Sequence, residues 1–309
     1  MSKLSVCCTT YNDGPLLRDL FESYAATAVL DDTEFLVIDD GSTDGAWDII
    51  EEYLEKGVIT WASRSSRKGC NAQTIRLFNR AAGDYYMRID GDIRFRSAEW
   101  DAAIVDMFEY TDKRIGVLGG VALWEKQPDK PDVVNVFANT IIHPAGYSHV
   151  FNGVPYDQVR GMPPQRVDHV LGAFIAMRRE AYEECGGYDP EFLGRGDVVD
   201  LVFRIRCLGY EVWTLPYVSY EHRNCSGVRE KRDGDIGGMD GTLTEQIKKY
   251  HQYFYEKHGF DKIKPDLGAV RNRYKNTPVW TPQCEFYYQH VMQDAKVAPP
   301  EKPPEDKPE

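Results

Sequence analysis

Two hydrophobic periods alternate along the first third of the chain. Short apolar runs typical of strands are separated by stretches in which apolar residues recur every three or four positions, as in amphipathic helices. The strand-like runs read KLSVCCTT, EFLVIDD, VITWAS and YYMRID, and the helical stretches cover 16–24, 49–54 and 70–82. This order predicts right-handed crossovers and a largely parallel sheet covered by helices on both faces.

The pattern becomes less regular after Ile93. Strand-like pieces between 116 and 170 are broken by Pro and Gly, which predicts irregular strands and long loops. Further strands are predicted for HVLGAFIAM and EVWTLPYVSYEHR, with the helix DVVDLVFRIRCLG between them. The loop 224–241 is rich in Gly, Asp and Arg and is the best candidate for a mobile segment. An apolar stripe around 247–254 predicts one more helix before a Pro-rich, charged tail.

Composition and charge narrow the class of protein. The 309 residues, 42% hydrophobic and 12% aromatic, can bury the core of one large α/β domain or two smaller ones. A net charge of -12 argues against general nucleic-acid binding. No apolar run approaches the roughly 20 residues that span a bilayer, and no signal-peptide pattern precedes the first strand, so we expect a cytoplasmic protein. Seven cysteines without a CxxC pair suggest reduced, structural thiols.

Polar residues follow the first four predicted strands. They fall at 9–12, 39–44, 63–68 and 90–92. In open parallel sheets, ligands bind at the carboxyl ends of the strands. The four clusters are therefore predicted to converge on one site.

The acid-Gly-acid triplet that ends the fourth strand is a candidate metal site. Asp90 and Asp92 are two positions apart, so on a strand their carboxylates share one face. Two such groups repel each other, and a divalent cation bound together with a diphosphate relieves that repulsion. Oxygen ligands favour Mg²⁺ or Mn²⁺. The alternative is a surface turn in which Arg88 and Arg94 pair with the acids.

The other clusters offer groups suited to a nucleotide. Asp39 and Asp40 can accept hydrogen bonds from a base or ribose, although residues 42–44 can equally form a turn that caps the next helix. The first strand ends in TTYN, which supplies hydroxyls and an aromatic ring for stacking. The run RSSRKG contributes cations suited to a diphosphate, or forms a solvated basic loop.

Five segments in succession resemble the family 2 glycosyltransferases of the GT-A fold. They are CCTTYNDGPLL, EFLVIDDGSTDG, RKGCNAQTIRLFNRAAGDYYMRIDGD, HVLGAFIAMRREAYEECGGYDPEF and GDVVDLVFRIRCLGYEV, within about Lys3 to Arg223. The resemblance implies a Rossmann-like, mostly parallel central sheet flanked by helices, with a smaller mixed acceptor-side region. The implied organisation is a GT-A domain at 1–225, comprising a nucleotide-binding half (1–95) and an acceptor-side half (96–225), then a mobile loop and helical extension (226–296) and a disordered tail (297–309).

The resemblance also implies roles for individual residues. Thr9, Tyr11 and Asp40, with Asp39 adjacent, would hold the nucleotide base. Cations near the diphosphate would be Arg67, Lys68 and, in the mobile loop, Arg229. Asp92 would be the most direct metal ligand and Asp90 a ribose or metal contact. His222 sits where related enzymes often complete the metal site, although a lone His is more often structural.

The catalytic base is the point at which the resemblance weakens. Relatives usually carry a Glu-Asp pair at the start of the helix that here begins at Asp197, and Val198 replaces the second acid. Asp197 is the favoured base, but an acid there can also stabilise the helix N-terminus. Asp200 matches a further acid of the motif, or forms an ion pair with Arg204 one turn away.

The function implied by the resemblance is metal-dependent transfer of a hexosyl or N-acetylhexosaminyl group from a UDP-sugar to a hydroxyl of a carbohydrate or other acceptor, with inversion. A retaining transferase and a non-catalytic nucleotide-sugar or glycan-binding module stay open as alternatives. A sugar-phosphate nucleotidyltransferase would need a Gly-rich, basic phosphate loop after the first strand, which TTYNDGPLL does not provide.

Overall fold

The computed structural model describes most of the chain. The described residues are 3–124, 135–137, 139–143, 146–151, 154–192, 196–223, 243–260 and 267–280, with 282, 284, 285, 288 and 289. The predicted mobile segment 224–241, including Arg229, and the predicted disordered tail 297–309 lie outside these residues.

The first third of the chain forms the alternating units that its hydrophobic pattern predicts. The elements are β1 (Leu4–Thr10), α1 (Gly14–Thr27), β2 (Thr33–Asp39), α2 (Ala46–Glu55), β3 (Trp61–Arg64), α3 (Cys70–Arg80) and β4 (Tyr85–Asp90). The predicted third strand is wrong at its start, because β3 begins three residues after Val58. The amides of Val58 and Ile59 instead donate to the Tyr53 carbonyl and close the end of α2.

The rest of the described chain adds eight strands of very different lengths and six further helices. The elements are β5 (Ile93–Phe95), α4 (Trp100–Glu109), β6 (Ile115–Trp124), β7 (Asn135–Phe137), β8 (Asn139–His143), β9 (Gly146–Val150), α5 (Tyr156–Val159), β10 (Gln165–Val167), β11 (Phe174–Arg178), α6 (Arg179–Glu184), α7 (Asp197–Cys207), β12 (Glu211–His222), α8 (Leu243–His258) and α9 (Leu267–Tyr274). Among the described helices, α4, α5, α6 and α9 were not predicted from the sequence pattern.

One large sheet organises the molecule, with strand order β10-β12-β6-β11-β4-β1-β2-β3. On this path β10 and β11 run opposite to the other strands. Strand β5 pairs with β12 and β7 with β6, while β8 and β9 form a separate hairpin. The prediction of a mostly parallel central sheet within an α/β fold is confirmed.

Helices cover both faces of the sheet. Because successive strand residues point to opposite faces, Val6 and Cys8 of β1 pack with α1, α2 and α4, whereas Cys7 packs with α3, α6 and α7. A third apolar cluster joins α7 to α8 and α9 and includes Phe203 and Phe254. Among the described helices, none has the length and apolar composition that crossing a bilayer requires.

The strand register brings the polar clusters together. Thr9 lies opposite Asp90, and Thr10 lies opposite Asp39. Asp39 in turn lies opposite Arg64 at the end of β3. The carboxyl ends of four parallel strands therefore form one polar edge, which is where ligands bind in open α/β sheets.

Candidate active site

Asp90, Asp92 and His222 form a cluster with the composition of a metal site. Their potential ligand atoms all lie within 4.8 Å of one another. The Nε2 atom of His222 is 3.3 Å from Asp92 Oδ1 and 3.8 Å from Asp90 Oδ2. The pairing of β5 with β12 places His222 opposite Ile93, directly after the triplet. Two carboxylates and an imidazole fit a divalent cation such as Mn²⁺ or Mg²⁺.

Gly91 is required by close packing against the end of β1. A Cβ atom at this position would lie 2.8 Å from Asp13 Oδ2 and 3.0 Å from Thr10 Oγ1. The Thr10 hydroxyl itself donates to Asp13 Oδ2 at 2.9 Å. The triplet is thus held against the first strand, with no room for a side chain between its two acids.

The surface-turn alternative for the triplet does not match the geometry. Asp92 is buried, at 4% exposure. Arg94 lies 4.0 Å from Glu221, and Arg88 approaches Asp90 only to 4.0 Å. The two arginines therefore do not form the close pairs with the acids that a solvated turn would use.

Asp40 organises the basic loop that follows β3. Its Oδ1 atom accepts hydrogen bonds from the Lys68 amide at 2.7 Å and from Gln73 Nε2 at 2.5 Å. Its Oδ2 atom accepts one from the Gly69 amide at 2.8 Å. The Lys68 side chain is exposed. The buried carboxylate of Asp40 thus fixes the backbone of the loop and leaves the lysine facing solvent.

Asp39 closes the turn that leads into residues 42–44, whereas the N-cap of α2 is Gly45, which makes no side-chain capping hydrogen bond. The Ser42 amide donates to Asp39 Oδ1 at 2.9 Å, and Arg64 Nε lies 3.2 Å from Asp39 Oδ2. Asp44 accepts hydrogen bonds from the amides of Gly14 and Ala46 at the starts of α1 and α2. These contacts hold the loops after β1 and β2 together.

Tyr11 and Arg67 are brought into direct contact. The guanidinium carbon of Arg67 lies 3.3 Å from the centroid of the Tyr11 ring, a cation–π arrangement. Thr9 and Cys70 share a hydrogen bond of 3.0 Å at the start of α3. The aromatic ring predicted to face a base and a cation predicted to face a diphosphate therefore lie side by side.

Arg88 is a site residue whose role sequence reasoning missed. It is buried, and its Nη1 atom is 2.6 Å from Asp197 Oδ2. The guanidinium also donates to Cys70 Sγ at 3.3 Å and to the Tyr188 hydroxyl at 3.5 Å. Burial alone would lower the pKa of Arg88, but Cys70, Asp197 and its other neighbours hold that pKa well above its ordinary value. The sequence feature that could have indicated this role is the position of Arg88 inside the apolar strand YYMRID, where a charged side chain needs a buried partner.

Asp197 and Val198, at the start of α7, occupy the positions where relatives carry the Glu-Asp pair. Asp197 is 3% exposed and begins α7 after Gly196, which has a left-handed backbone. Val198 is also buried and belongs to the apolar cluster on this face of the sheet. Val198 packs closely on Gly172: a Cβ atom added at position 172 would lie 2.8 Å from Val198 Cγ2. The valine fills an apolar space.

Asp200 faces α8, where it forms a network of charged groups. It is fully buried, with Arg204 Nε at 2.9 Å, Lys257 Nζ at 2.9 Å and His258 Nε2 at 2.7 Å. Burial raises the pKa of Asp200, but the hydrogen bond with His258 and the charge of Arg204 outweigh it and lower the pKa to about 2. These contacts fit the ion-pair alternative for Asp200 and connect α7 to the C-terminal helices.

Comparisons with known proteins agree with this geometry. The sequence model of Glycosyl transferase family 2 matches residues 5–186. A stretch of 92 residues, 30% of this chain, is 32% identical to a dolichol-phosphate mannosyltransferase of Pyrococcus furiosus and covers 26% of that protein. The chain thus matches about a quarter of the length of that relative.

Two solved structures resemble the whole described fold. The crystal structure of GalNAc-T7 with UDP, GalNAc and Mn²⁺ has a TM-score of 0.60 at 18% identity, over 97% of this chain and 58% of that one. The mannosyltransferase PcManGT from Pyrobaculum calidifontis, in complex with GDP-Man and Mn²⁺, has a TM-score of 0.57 at 17% identity, over 96% of this chain and 76% of that one. Both are GT-A glycosyltransferases, and at these identities they establish the fold alone. Because the family match covers more than half of the sequence, this GT-A chain belongs to glycosyltransferase family 2.

Proposed function

We propose that the protein is a metal-dependent glycosyltransferase that moves a hexosyl or N-acetylhexosaminyl group from a UDP-sugar to an acceptor hydroxyl with inversion. The observation that carries this proposal is the cluster of Asp90, Asp92 and His222 at the polar edge of the sheet. It lies where a nucleotide-sugar diphosphate would meet both a cation and the basic loop after β3.

Asp90, Asp92 and His222 would hold Mn²⁺ or Mg²⁺. A bound cation supplies neutralisation of the diphosphate as it leaves the sugar. Arg67 and Lys68 would add positive charge from the protein, and Arg229 is proposed for the same task. The Mn²⁺ in the GalNAc-T7 and PcManGT structures supports this assignment.

The nucleotide would bind across the ends of β1 and β2. We assign base and ribose contacts to Thr9, Tyr11, Asp39 and Asp40, with Asp40 acting also through the loop backbone that it holds. Stacking of Arg67 on Tyr11 presents a flat cationic surface beside the base position. The related structures contain UDP in one case and GDP-Man in the other, so a donor screen must include both nucleotides.

Asp197 is our candidate for the catalytic base. To accept a proton from the acceptor hydroxyl, its carboxylate would exchange the hydrogen bond from Arg88 for one from the acceptor. Asp200 is already bound by Arg204, Lys257 and His258, so we assign it a positioning role between α7 and α8.

One observation favours a second candidate, a non-catalytic nucleotide-sugar-binding module. Asp197 is 3% exposed and already paired with Arg88, and Val198 replaces the second acid of the motif. A protein of this kind would bind a nucleotide with Mn²⁺ but transfer no sugar.

A panel of UDP- and GDP-sugars with Mn²⁺ and a mixture of hydroxyl acceptors tests the proposal. We expect sugar transfer from at least one UDP-sugar, with an inverted anomeric proton in the product's NMR spectrum. Asp197→Asn keeps an oxygen that can accept the hydrogen bond from Arg88, so it should retain nucleotide binding but lose transfer; its unfolding midpoint is measured alongside, and exposed Asp31→Asn is the control. Nucleotide binding without transfer would support the second candidate, and a retained anomeric configuration would support the retaining alternative.

A further inference from the structure

A cavity of about 420 Å³ lies between α5, the strands β6 and β12, and the two residues that follow β5. Its strand side carries Tyr217, Ser219 and Glu221, and its helix side carries Tyr156 and Arg160. The volume falls within the range of small-molecule sites. Among the residues that the structure describes, none of those assigned to the nucleotide or the metal lines this cavity.

The sequence spacing explains how these side chains come together. Tyr217, Ser219 and Glu221 occupy alternate positions of β12, which places them along one face of the strand. They span about 13 Å, given a rise of roughly 3.3 Å per residue. Tyr156 and Arg160 are four positions apart on and just after α5, so they lie on the same side of that short helix. The strand wall and the helix wall of the cavity therefore each present side chains to the same space.

Glu221 gives the cavity a buried hydrogen-bond acceptor. The residue is 8% exposed, and its Oε1 atom is 3.0 Å from Arg96 Nη1. Its Oε2 atom is buried and accepts no hydrogen bond from any described residue, and Arg94 Nη1 lies 4.0 Å from it. A buried carboxylate oxygen in this state is stabilised by a ligand hydroxyl that donates to it.

The distribution of charge favours a neutral ligand. Both arginines of the cavity have carboxylate neighbours, Arg96 with Glu221 and Arg160 with Asp157 at 3.0 Å. An anionic ligand would also lie against the carboxylate of Glu221 and be repelled by it. The rings of Tyr156 and Tyr217, the latter 38% exposed, offer apolar faces beside hydroxyl and guanidinium groups. Aromatic faces next to hydrogen-bonding groups suit a neutral sugar.

The cavity adjoins the end of β12 that also carries His222, with the Glu221 and His222 side chains pointing to opposite faces of the strand. Glu221 directly precedes His222 on β12, and β5 begins directly after Asp92. The described lining residues all fall within 96–225, the part of the chain predicted to form the acceptor side. We propose that this cavity binds a neutral sugar unit of the acceptor, so that the acceptor is a neutral glycan. This inference rests on the proposed transferase function.

Direct saccharide binding tests the inference without relying on activity. Cellotriose, mannotriose and N,N′,N″-triacetylchitotriose are titrated into the full chain and followed by saturation-transfer NMR. We expect at least one to bind in the millimolar range or tighter. Tyr217→Ala should weaken its binding about tenfold, because the stacking face is lost, whereas Tyr217→Phe keeps the ring and should bind nearly as well as the wild type.

Tyr110→Ala is the matched control, since Tyr110 is 81% exposed and does not line the cavity. The inference is overturned if none of the three saccharides binds, if Tyr217→Ala binds as the wild type does, or if sialyllactose binds and the neutral sugars do not. Mn²⁺ and nucleotide binding are measured on the same samples. If saccharides bind but Mn²⁺ and nucleotides do not, the proposed transferase function fails and the cavity is still a sugar-binding site. If Mn²⁺ and nucleotides bind but saccharides do not, the cavity inference fails and the proposed function is unaffected.

Discussion

Arg88 and Asp197 form a buried ion pair with a distance of 2.6 Å between Nη1 and Oδ2. The pair joins β4, which carries the metal motif, to the first residue of α7. Both residues are at most 6% exposed, so each charge depends on the other for compensation. The position of the candidate base is therefore coupled to the strand that ends in the candidate metal site.

Removing one partner of this pair should be costly. Arg88→Met leaves the Asp197 carboxylate buried without its cation, and we expect a loss of about 3–5 kcal/mol in the free energy of unfolding. The double variant with Asp197→Leu should recover much of that loss. Urea unfolding of the four proteins measures the coupling. The exposed pair of Arg18 and Glu52 is the control: Arg18→Met should lower the free energy of unfolding by less than about 1 kcal/mol. Equal losses for Arg88→Met and Arg18→Met would show that the buried pair has no special role in stability.

Restoring the family's second acid should harm the protein. Val198→Asp places a carboxylate in an apolar space packed on Gly172, and we expect it to cost at least about 2 kcal/mol more than Val198→Ala. Val198→Ala measures the stability lost with the methyl groups, and the additional loss in Val198→Asp measures the cost of burying a carboxylate. Chemical denaturation provides the values. A stable Val198→Asp protein with increased transfer activity would show that the acid has a place in the site.

Gly91→Ala tests the packing of the metal motif. The added methyl group would meet Asp13 and Thr10, so the two acids must shift, and we expect Mn²⁺ affinity to fall by about 10- to 100-fold. Gly161→Ala is the control, because a Cβ atom there meets nothing within 4 Å. The Mn²⁺ affinities of the two variants and the wild type are measured by titration with detection by electron paramagnetic resonance. Unchanged affinity in Gly91→Ala would mean that the triplet tolerates displacement or does not bind the cation.

Asp200 should make stability depend on acid pH. Its pKa in the folded protein is lowered to about 2, below the ordinary value of 3.8, so its contribution is present above about pH 4 and is lost as pH falls towards 2. The shift corresponds to about 2 kcal/mol. Asp200→Asn should be less stable than the wild type at pH 6, and the difference should narrow below pH 4 in urea unfolding. Exposed Asp31→Asn should show no such trend, and a constant difference for Asp200→Asn would exclude this linkage.

Local sequence patterns were sufficient to predict the first half of the sheet and the polar edge. The strands from Leu4 to Asp90 have clear apolar runs, and parallel strands bring their ends to one side. The helix α4 also has a helical period, at Trp100, Ile104 and Phe108, but the irregular segments around it obscured that signal. The start of β3 was misplaced because the apolar residues Val58 and Ile59 close α2 instead of entering the sheet.

Contacts between distant parts of the chain were beyond the reach of such patterns. Arg88 and Asp197 are 109 positions apart, and Asp200 and His258 are 58 apart. Residues this far apart in sequence show no periodic pattern that would pair them, because their contact depends on how the helices pack on the sheet. The cavity beside Glu221 has the same origin, because it needs α5 to pack over residues of β12 that are more than 50 positions away in the chain.

Sugar transfer by the wild type and by Asp92→Asn, measured with and without Mn²⁺, shows whether the reaction depends on a cation held by Asp90, Asp92 and His222. We expect the wild type to release UDP from its donor only with Mn²⁺ or Mg²⁺ present. Asp92→Asn should lose both Mn²⁺ binding and turnover while keeping the wild-type unfolding midpoint. Asp31→Asn should behave as the wild type does. Turnover that persists in Asp92→Asn, or that is unaffected by removing divalent cations with EDTA, would contradict the assignment of Asp90, Asp92 and His222 as the metal site.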